Sequence, residues 1–476
     1  MTPEAGWVSW DWAGSRPAPE RASTLRETKP TSTPQAPSTD ADLDRLPTDE
    51  DLGRLQFTTL LYYLQVTNPD NGLVRDKTEP NAPASIAALG MAMATVPVVV
   101  ERGVMIREFA VKIARKRLRY LLELPQGPEP DASGYKGFFY HFLDIETGRR
   151  VWQCELSTID SAFLFAGALT AATYFDRDTA EEAEVRQLAN ELYERADWNW
   201  ACNGEPTLTH GWRPEDGFIP YRWRGYDEGL LLYFLGLGSP THPLEPESYA
   251  AYTKTYEWKS IYGRELLHSG PLFTHQLSHL WVDFRGIRDE FMRQRDSDYF
   301  ENTRQATFAQ QEYAVRNPMN FVGYGQYCWG FTACDGPGWT ARAVNGVERQ
   351  FFDYTARGAP FGPDDGTVAP WVVIASLPFA PEIVVPTVRN FARMNLGMTR
   401  LYGFRPSFNQ SFAVEDSPTG WWISPYHFGI DQGPVVLAIE NYRTGLLWNI
   451  MRRCPPILAG LRRAGFSGGW LSRQSD

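Results

Sequence analysis

Nowhere in this chain do 18 uncharged apolar residues follow one another, so no helix long enough to cross a bilayer is expected. Cysteine is scarce. The five residues Cys154, Cys202, Cys328, Cys334 and Cys454 form no C-x-x-C pair, which argues against a structural zinc site. An odd number at such wide spacing suggests free, buried thiols and a reducing compartment. The first residues, MTPEAGWVSWDWAGSRP, lack the basic start and apolar stretch of a signal peptide. The expectation is therefore a cytoplasmic protein, or a periplasmic or secreted one if a leader has been removed. Positive charge is in deficit, with a net charge of −11, so nucleic acid is not an expected partner. The run Arg115, Lys116, Arg117, Leu118, Arg119 reads as the wet face of a helix. Several templates are missing as well. There is no P-loop, no dinucleotide-type glycine motif between a strand and a helix, no strand-to-helix nucleophile elbow, and no DDxxD or DxDD motif.

Aromatic rings, by contrast, are abundant. Seventeen tryptophans, 22 tyrosines and 27 phenylalanines make up 14% of the chain. They supply a large core or a ring-lined pocket on which a pyranose could stack. Residues 13 to about 48 are rich in Pro, Ser, Thr and charge and poor in large apolar residues, so 1–50 reads as a flexible N-terminal segment and 51–476 as the folded domain. From Leu52 onward, apolar helices alternate with amphipathic ones. ASIAALGMAMATVPVVVERG (interrupted at Pro97), STIDSAFLFAGALTAATYF and YDEGLLLYFLGLG are apolar; MIREFAVKIARKRLRYLLEL and TAEEAEVRQLANELYERADW are amphipathic. Strand alternation is scarce, with hairpins expected near 138–155 and 398–425. This pattern suits two concentric layers of helices, apolar inside and amphipathic outside, with loops gathered at one end.

The loops carry the chemistry. Glu155, Asp160, Asp227, Glu228, Asp335, Asp364, Asp365 and Glu440 lie in or beside segments rich in Gly and aromatic residues. Cleaving a glycosidic bond needs two carboxyl groups, one protonated and one ionised, and an apolar surround raises the pKa of the acid. The adjacent pair Asp227–Glu228 opens an apolar helix, where one acid would suffice as a cap. Asp160 also reads as a cap, and GPDDGT as a turn. His275 and His279 are four apart, as in a zinc-binding helix, but Gln276 stands where a metalloprotease needs Glu. No metal and no cofactor are expected. Hydrogen bonds from these histidines to sugar hydroxyls or neighbouring carboxylates are the expectation.

ELSTIDSAFLFAGALTAATYF, GYDEGLLLYFLGLGSPTHPL, GPLFTHQLSHLWVDFRG, YGQYCWGFTACDGPG, GPDDGTVAPWVVIASLPFAPE and IENYRTGLLW, in this order over about 52–455, together resemble the bacterial glucoamylase-like domain family. That family includes β-1,2-glucanases and the processing domain of cyclic β-1,2-glucan synthases. The resemblance implies an all-α (α/α)6 toroid with minor hairpins, a catalytic pocket at one end, and an oligo- or polysaccharide substrate. It implies hydrolysis of β-glucan by carboxylate acid–base catalysis, with transglycosylation or plain carbohydrate binding as alternatives. Carried over by motif, Glu228 is the expected general acid and Glu155 or Asp160 its partner. Asp227, Arg222, Trp223, Tyr226, His275, His279, Trp329 and Asp335 are expected to line sugar subsites. Hydrolases of such envelope polymers usually carry export signals, and the start of this sequence shows none.

Overall fold

The computed structural model describes residues 49–398 and 400–473. The segment expected over 13–48 lies outside the described residues.

Six helix pairs build the domain. The first members are α1 (Asp49–Gln65), α3 (Arg107–Glu123), α5 (Ala180–Glu194), α7 (Pro246–Thr253), α9 (Tyr299–Arg316) and α11 (Pro381–Arg393). The second members are α2 (Ile86–Ala94), α4 (Thr158–Tyr174), α6 (Leu230–Leu237), α8 (Phe273–Gln276, continued by a tighter turn over Leu277–Leu280), α10 (Pro370–Ala375) and α12 (Gly429–Arg443). A further helix, α13 (Pro455–Arg463), packs on α6.

Composition sorts these into layers. Every residue of α2, α6 and α10 is buried, and α4 buries all but Ile159 and Thr173. A helix apolar all round is stable only inside the protein. The odd-numbered helices bury a stripe instead. In α3 it is Ala110, Val111, Ala114, Leu118 and Leu121, with charge on the other face. The even-numbered helices close into a ring. Met91 of α2 packs on Gly433 of α12, and Gly90 of α2 packs on Phe163 of α4. Helices α4 and α6 are in contact. Ser278 Oγ accepts from the Leu231 N–H, joining α6 to the α8 turn, and Gln276 Nε2 donates to the Val372 carbonyl of α10. Helices α10 and α12 complete the circuit. The expected (α/α)6 toroid is the observed fold.

The long connections, such as 66–85, 124–157, 195–229 and 317–369, all run from an outer helix into the N-terminus of an inner one. They therefore share one end of the toroid. The expected break at Pro97 is present: α2 stops at Ala94, and Pro97 enters the first turn of a short helix over Val96–Glu101, where its missing N–H costs nothing. The hairpin expected within 398–425 pairs Phe408–Ala413 with Trp421–Ile423. Near 138–155, Phe138–Phe139 pairs with Gly134–Tyr135, and Phe142–Leu143 pairs with Ala84–Ser85.

Beyond a short pairing of Gly211–Arg213 with Gly217–Phe218, two longer hairpins were not expected from alternation. One pairs Trp258–Ile261 with Arg264–Leu267; the other pairs Thr340–Val344 with Val347–Phe351. The second turns on Asn345-Gly346, both at positive φ, a local signal that alternation alone misses. The basic run is also less wet than expected. Arg115 and Arg119 pair with Glu184, but Arg117 is buried and donates to the Gly72 carbonyl.

The tightest point in the ring lies between α2 and α4. A Cβ on Gly90 would sit 2.4 Å from the Phe163 carbonyl oxygen, and one on Gly167 would sit 2.0 Å from the Gly90 carbonyl oxygen. Backbone cannot rotate away as a side chain can. Gly90→Ala is therefore expected to lower unfolding free energy by about 1–3 kcal/mol in denaturant titration, the usual cost of overpacking. Gly325→Ala, with open space around the new methyl, is expected to stay within about 0.5 kcal/mol of wild type.

Candidate active site

Two helix starts and one loop bring the main acids together. Ser157 caps α4 by accepting from the Asp160 N–H, so Asp160 is not the cap that its position suggests. The Ser157 hydroxyl also donates to Asp160 Oδ2, and Asp160 is buried. Two residues upstream of the cap, Glu155 reaches into the same space, about a fifth exposed. Between the two carboxylates sits His141, whose Nδ1 is 2.9 Å from Glu155 Oε1 and 3.8 Å from Asp160 Oδ2. From the other side, Arg213 Nη2 comes within 3.9 Å of Glu155 Oε2.

Asp227 and Glu228 arrive on the segment that enters α6, and neither is the N-cap, which is Gly229. Asp227 is locked in place: its Oδ1 accepts from the Gly229 N–H and from the Tyr252 hydroxyl, each at 2.9 Å. The Glu228 backbone carbonyl accepts from the Ser278 hydroxyl, fixing it against the α8 turn. Thus one acid of the pair anchors the loop and the other is presented.

The surroundings split the protonation states. Burial raises the Glu228 carboxyl well above its usual range, and the charges of Asp227 and Asp160 push it further. Burial raises Asp227 likewise, against the two hydrogen bonds it accepts. Burial also acts on Glu155, but His141 and Arg213 outweigh it and hold that carboxyl below the usual range. His141 is correspondingly pushed up to about 9: burial opposes its charge, and Asp160, Glu155 and Asp76 more than offset that. Asp160 is raised, by burial first. Through Asp160, whose charge acts on Glu228 and which itself feels His141 and Glu155, a carboxyl pushed up and a carboxyl pulled down belong to one cluster.

A second acidic group joins the expected Asp335 to two acids the sequence did not single out, Asp431 and Asp76. Asp431 is buried in the first turn of α12, and its carboxyl is raised by burial and by the nearby charges of Asp76 and Asp335. Asp335 accepts from the Ser424 hydroxyl at 2.9 Å. The charge of Asp76 reaches both groups, since it also acts on His141. In the ring order, α6 and α12 stand opposite each other, so Glu228 and Asp431 begin helices on opposite sides. The signal for Asp431 was present: FGIDQGP places an acid in the first turn of an apolar helix, as STID does. His141 carries no such mark, because a lone histidine in FFYHFLD gives no hint of which acids surround it.

Other expected site residues lie elsewhere. Trp223 is buried, stacks on His210 at 4.0 Å, and donates from Nε1 to Thr158 Oγ1, so it braces the pocket wall from behind. Arg222 braces its loop through the Cys202 and Thr207 carbonyls. Tyr226 packs edge-on to His275 at 4.8 Å, and the His275 Nε2 faces the Ser269 backbone. His279 is buried beside Thr303 of α9, at 3.0 Å, among phenylalanines. Trp329 is fully buried and donates to Thr387 Oγ1. The two histidines thus bond to backbone and threonine, not to the carboxylates. Glu440 sits near the C-terminal end of α12, bonded to Arg102 and Gln56. Asp364 accepts from Tyr313 and Tyr324, while Asp365 forms a fully buried pair with Arg357; both pin the turn, as its composition suggests. GFSGG at 465–469 does have the residues of a nucleophile elbow, but it follows helix α13 and its Ser467 pairs through the backbone with Arg288. Among the described residues no three His, Cys, Asp or Glu side chains gather in a way that could hold a metal ion.

The ion triad has a pH signature. The folded pKa of His141, about 9, lies above its ordinary 6.5. The stability it contributes is therefore fully present below about pH 6.5 and is lost as pH rises through about 9. Thermal unfolding of wild type and His141→Asn between pH 6 and 10 should show a gap that is widest at pH 6 and shrinks toward pH 10. A gap independent of pH would remove the imidazolium from the account.

Comparison with known proteins places this arrangement. Residues 220–455 match the glycoamylase family model, described as "Putative glucoamylase". A curated relative from Parabacteroides distasonis, an exo β-1,2-glucooligosaccharide sophorohydrolase acting at the non-reducing end, is 28% identical over 453 residues. The match takes in 87% of this chain but only 58% of the relative, so the chain spans little more than half that protein's length. A crystal structure from Bacteroides uniformis, under the same glucoamylase description, is 29% identical with a TM-score of 0.78, covering 90% of this chain and 100% of that one. The crystal structure of a β-1,2-glucanase from Parabacteroides distasonis is 27% identical with a TM-score of 0.76, covering 88% and 60%. With its ring of paired helices and its acids at the inner helix starts, this chain is similar to proteins of the bacterial glucoamylase-like domain family.

Proposed function

We propose that the protein is a glycoside hydrolase that cleaves β-1,2-linked glucan or its oligosaccharides. The observation that carries the chemistry is the opposite pull on two carboxyls of one charged cluster, Glu228 raised by burial, Asp227 and Asp160, and Glu155 lowered by His141 and Arg213. Such a divergence is how acid and base roles are assigned in this chemistry. The linkage follows from the two Parabacteroides distasonis relatives, named for β-1,2-linked substrates.

In this reading Glu228 gives its proton to the glycosidic oxygen as the bond to the anomeric carbon breaks. Glu155 takes a proton from the attacking water. Asp227 does not move protons; its hydrogen bonds hold the loop that presents Glu228. One observation favours a second assignment of the base. Asp431 stands across the ring from Glu228, where an acid could flank a sugar seated on the axis, and inversion calls for carboxyls roughly 6.5–9.5 Å apart.

The test is a panel of linear and cyclic glucans of different α and β linkages, with products read by chromatography and anomeric NMR. Cleavage confined to β-1,2 linkages is the expected result; cleavage of another linkage alone would overturn the substrate, and sugar-to-sugar transfer in place of hydrolysis would overturn the reaction. Glu228→Gln is expected to lose roughly 10²–10⁴ of kcat, the scale of a general acid. Wild-type activity should fall as pH rises through the raised Glu228 pKa, because the deprotonated group has no proton to give, and this alkaline limb should vanish in Glu228→Gln. Comparable losses in Glu155→Gln and none in Asp431→Asn keep the base on Glu155; the reverse moves it to Asp431.

A further inference from the structure

Three residues before Glu155 the backbone does something costly. Trp152 and Gln153 both lie at positive φ, +57° and +52°, the left-handed region that side chains of L-residues avoid. Two such residues in succession persist only where surrounding contacts impose them. Here the Val151 N–H donates to the Phe142 carbonyl, the Cys154 N–H to the Val151 carbonyl, and Arg150 Nε to the Cys154 carbonyl. The outcome is an indole held out in solvent, 42% exposed, although the core lies close by.

That indole is connected to the catalytic wall. Its ring lies 5.5 Å from Phe142, and Phe142 stacks on His141 at 3.9 Å and 12°. His141 in turn holds Glu155. Three rings thus form a ladder from the carboxylates to the rim. Arg213 stands on the other flank of Glu155, one-third exposed, with its buried Nε lacking any partner. An exposed indole on one flank of Glu155 and a partly exposed guanidinium on the other offer the two surfaces a pyranose needs: a ring face for its C–H groups and donors for its hydroxyls.

We propose that Trp152 and Arg213 form a sugar-binding site at the pocket rim, taking a glucosyl unit of the chain beyond the one whose bond is cleaved. The assignment rests on the reading of the protein as a glucan hydrolase. The strained turn is then the means by which the ring is presented, and Phe142 is its backing.

The experiment is steady-state kinetics on β-1,2-gluco-oligosaccharides of increasing length with wild type, Trp152→Ala, Trp152→Phe and Arg213→Gln. Trp152→Ala should raise KM roughly 10-fold on the longer substrates, the scale of losing one stacked ring, with kcat little changed. The shortest cleavable substrate should be indifferent to the change, and Trp152→Phe should recover most of the loss. Arg213→Gln, which also removes a positive charge beside Glu155, should lower kcat at every length and in addition raise KM on the longer substrates only. In Trp152→Ala, equal loss of kcat at every length would mean that the turn merely shapes Glu155 and would overturn the proposal, as would no change at any length. Should Trp152→Ala fold poorly, Trp152→Leu, which keeps apolar bulk and removes the ring, carries the same test. Failure of wild type to cleave any length would defeat the activity reading itself. Calorimetric binding of the same oligosaccharides would then decide this site alone, with weaker binding by Trp152→Ala supporting it and equal affinity overturning it.

Discussion

Backbone touches backbone where Gly90 of α2 meets Phe163 of α4 and where Gly167 answers with the Gly90 carbonyl. That contact, repeated more loosely around the ring, brings six apolar helices close enough to exclude water from between them. Once water is excluded, each inner helix can present polar groups only at its ends. The outer helices return the chain to the same end each time, so the inner N-termini and the long loops share one face. Asp160, Glu228 and Asp431 all belong to the starts of inner helices for this reason. Their position is a consequence of the packing, and their raised pKa values follow from the same dryness.

Burial alone would protonate all of these acids alike. The proposed hydrolysis needs them unlike, and one imidazole makes the difference. His141 lies close to Glu155 and Asp160 and favours Glu155, which Arg213 also approaches. Glu228, acted on by acids rather than cations, stays on the protonated side. The stack of Phe142 on His141 fixes the ring that performs this sorting. Neighbouring carboxyls are thereby pulled in opposite directions without any change of residue type.

The layers of the fold were legible because periodicity records burial. A helix such as LLLYFLGL, apolar on every side, announces an inner position, and REFAVKIARKRLRYLLE announces an outer one. Motif resemblance then supplied the number of helices and pointed to Glu228, Glu155 and Asp160. What stayed hidden depends on contacts far apart in sequence. His141 becomes meaningful only beside Glu155 and Asp160, and Asp431 only beside Asp76 and Asp335. The partners of His275, His279 and Trp329 were hidden for the same reason. Their polar atoms look available in the sequence, yet packing turns them toward Ser269, Thr303 and Thr387. The turn at Asn345-Gly346 was a local signal overlooked, since a two-residue hairpin announces itself by its φ-tolerant residues rather than by alternation.

The central claim is that the pocket keeps Glu228 protonated near neutral pH while Glu155 is ionised. Infrared difference spectroscopy of the carboxyl stretch, wild type against Glu228→Gln and Glu155→Gln at pH 7, tests it most directly. The account predicts that Glu228→Gln removes a protonated-carboxyl band and Glu155→Gln removes a carboxylate band. An unchanged protonated-carboxyl region in Glu228→Gln would show that Glu228 is ionised at rest and would contradict its role as the proton donor.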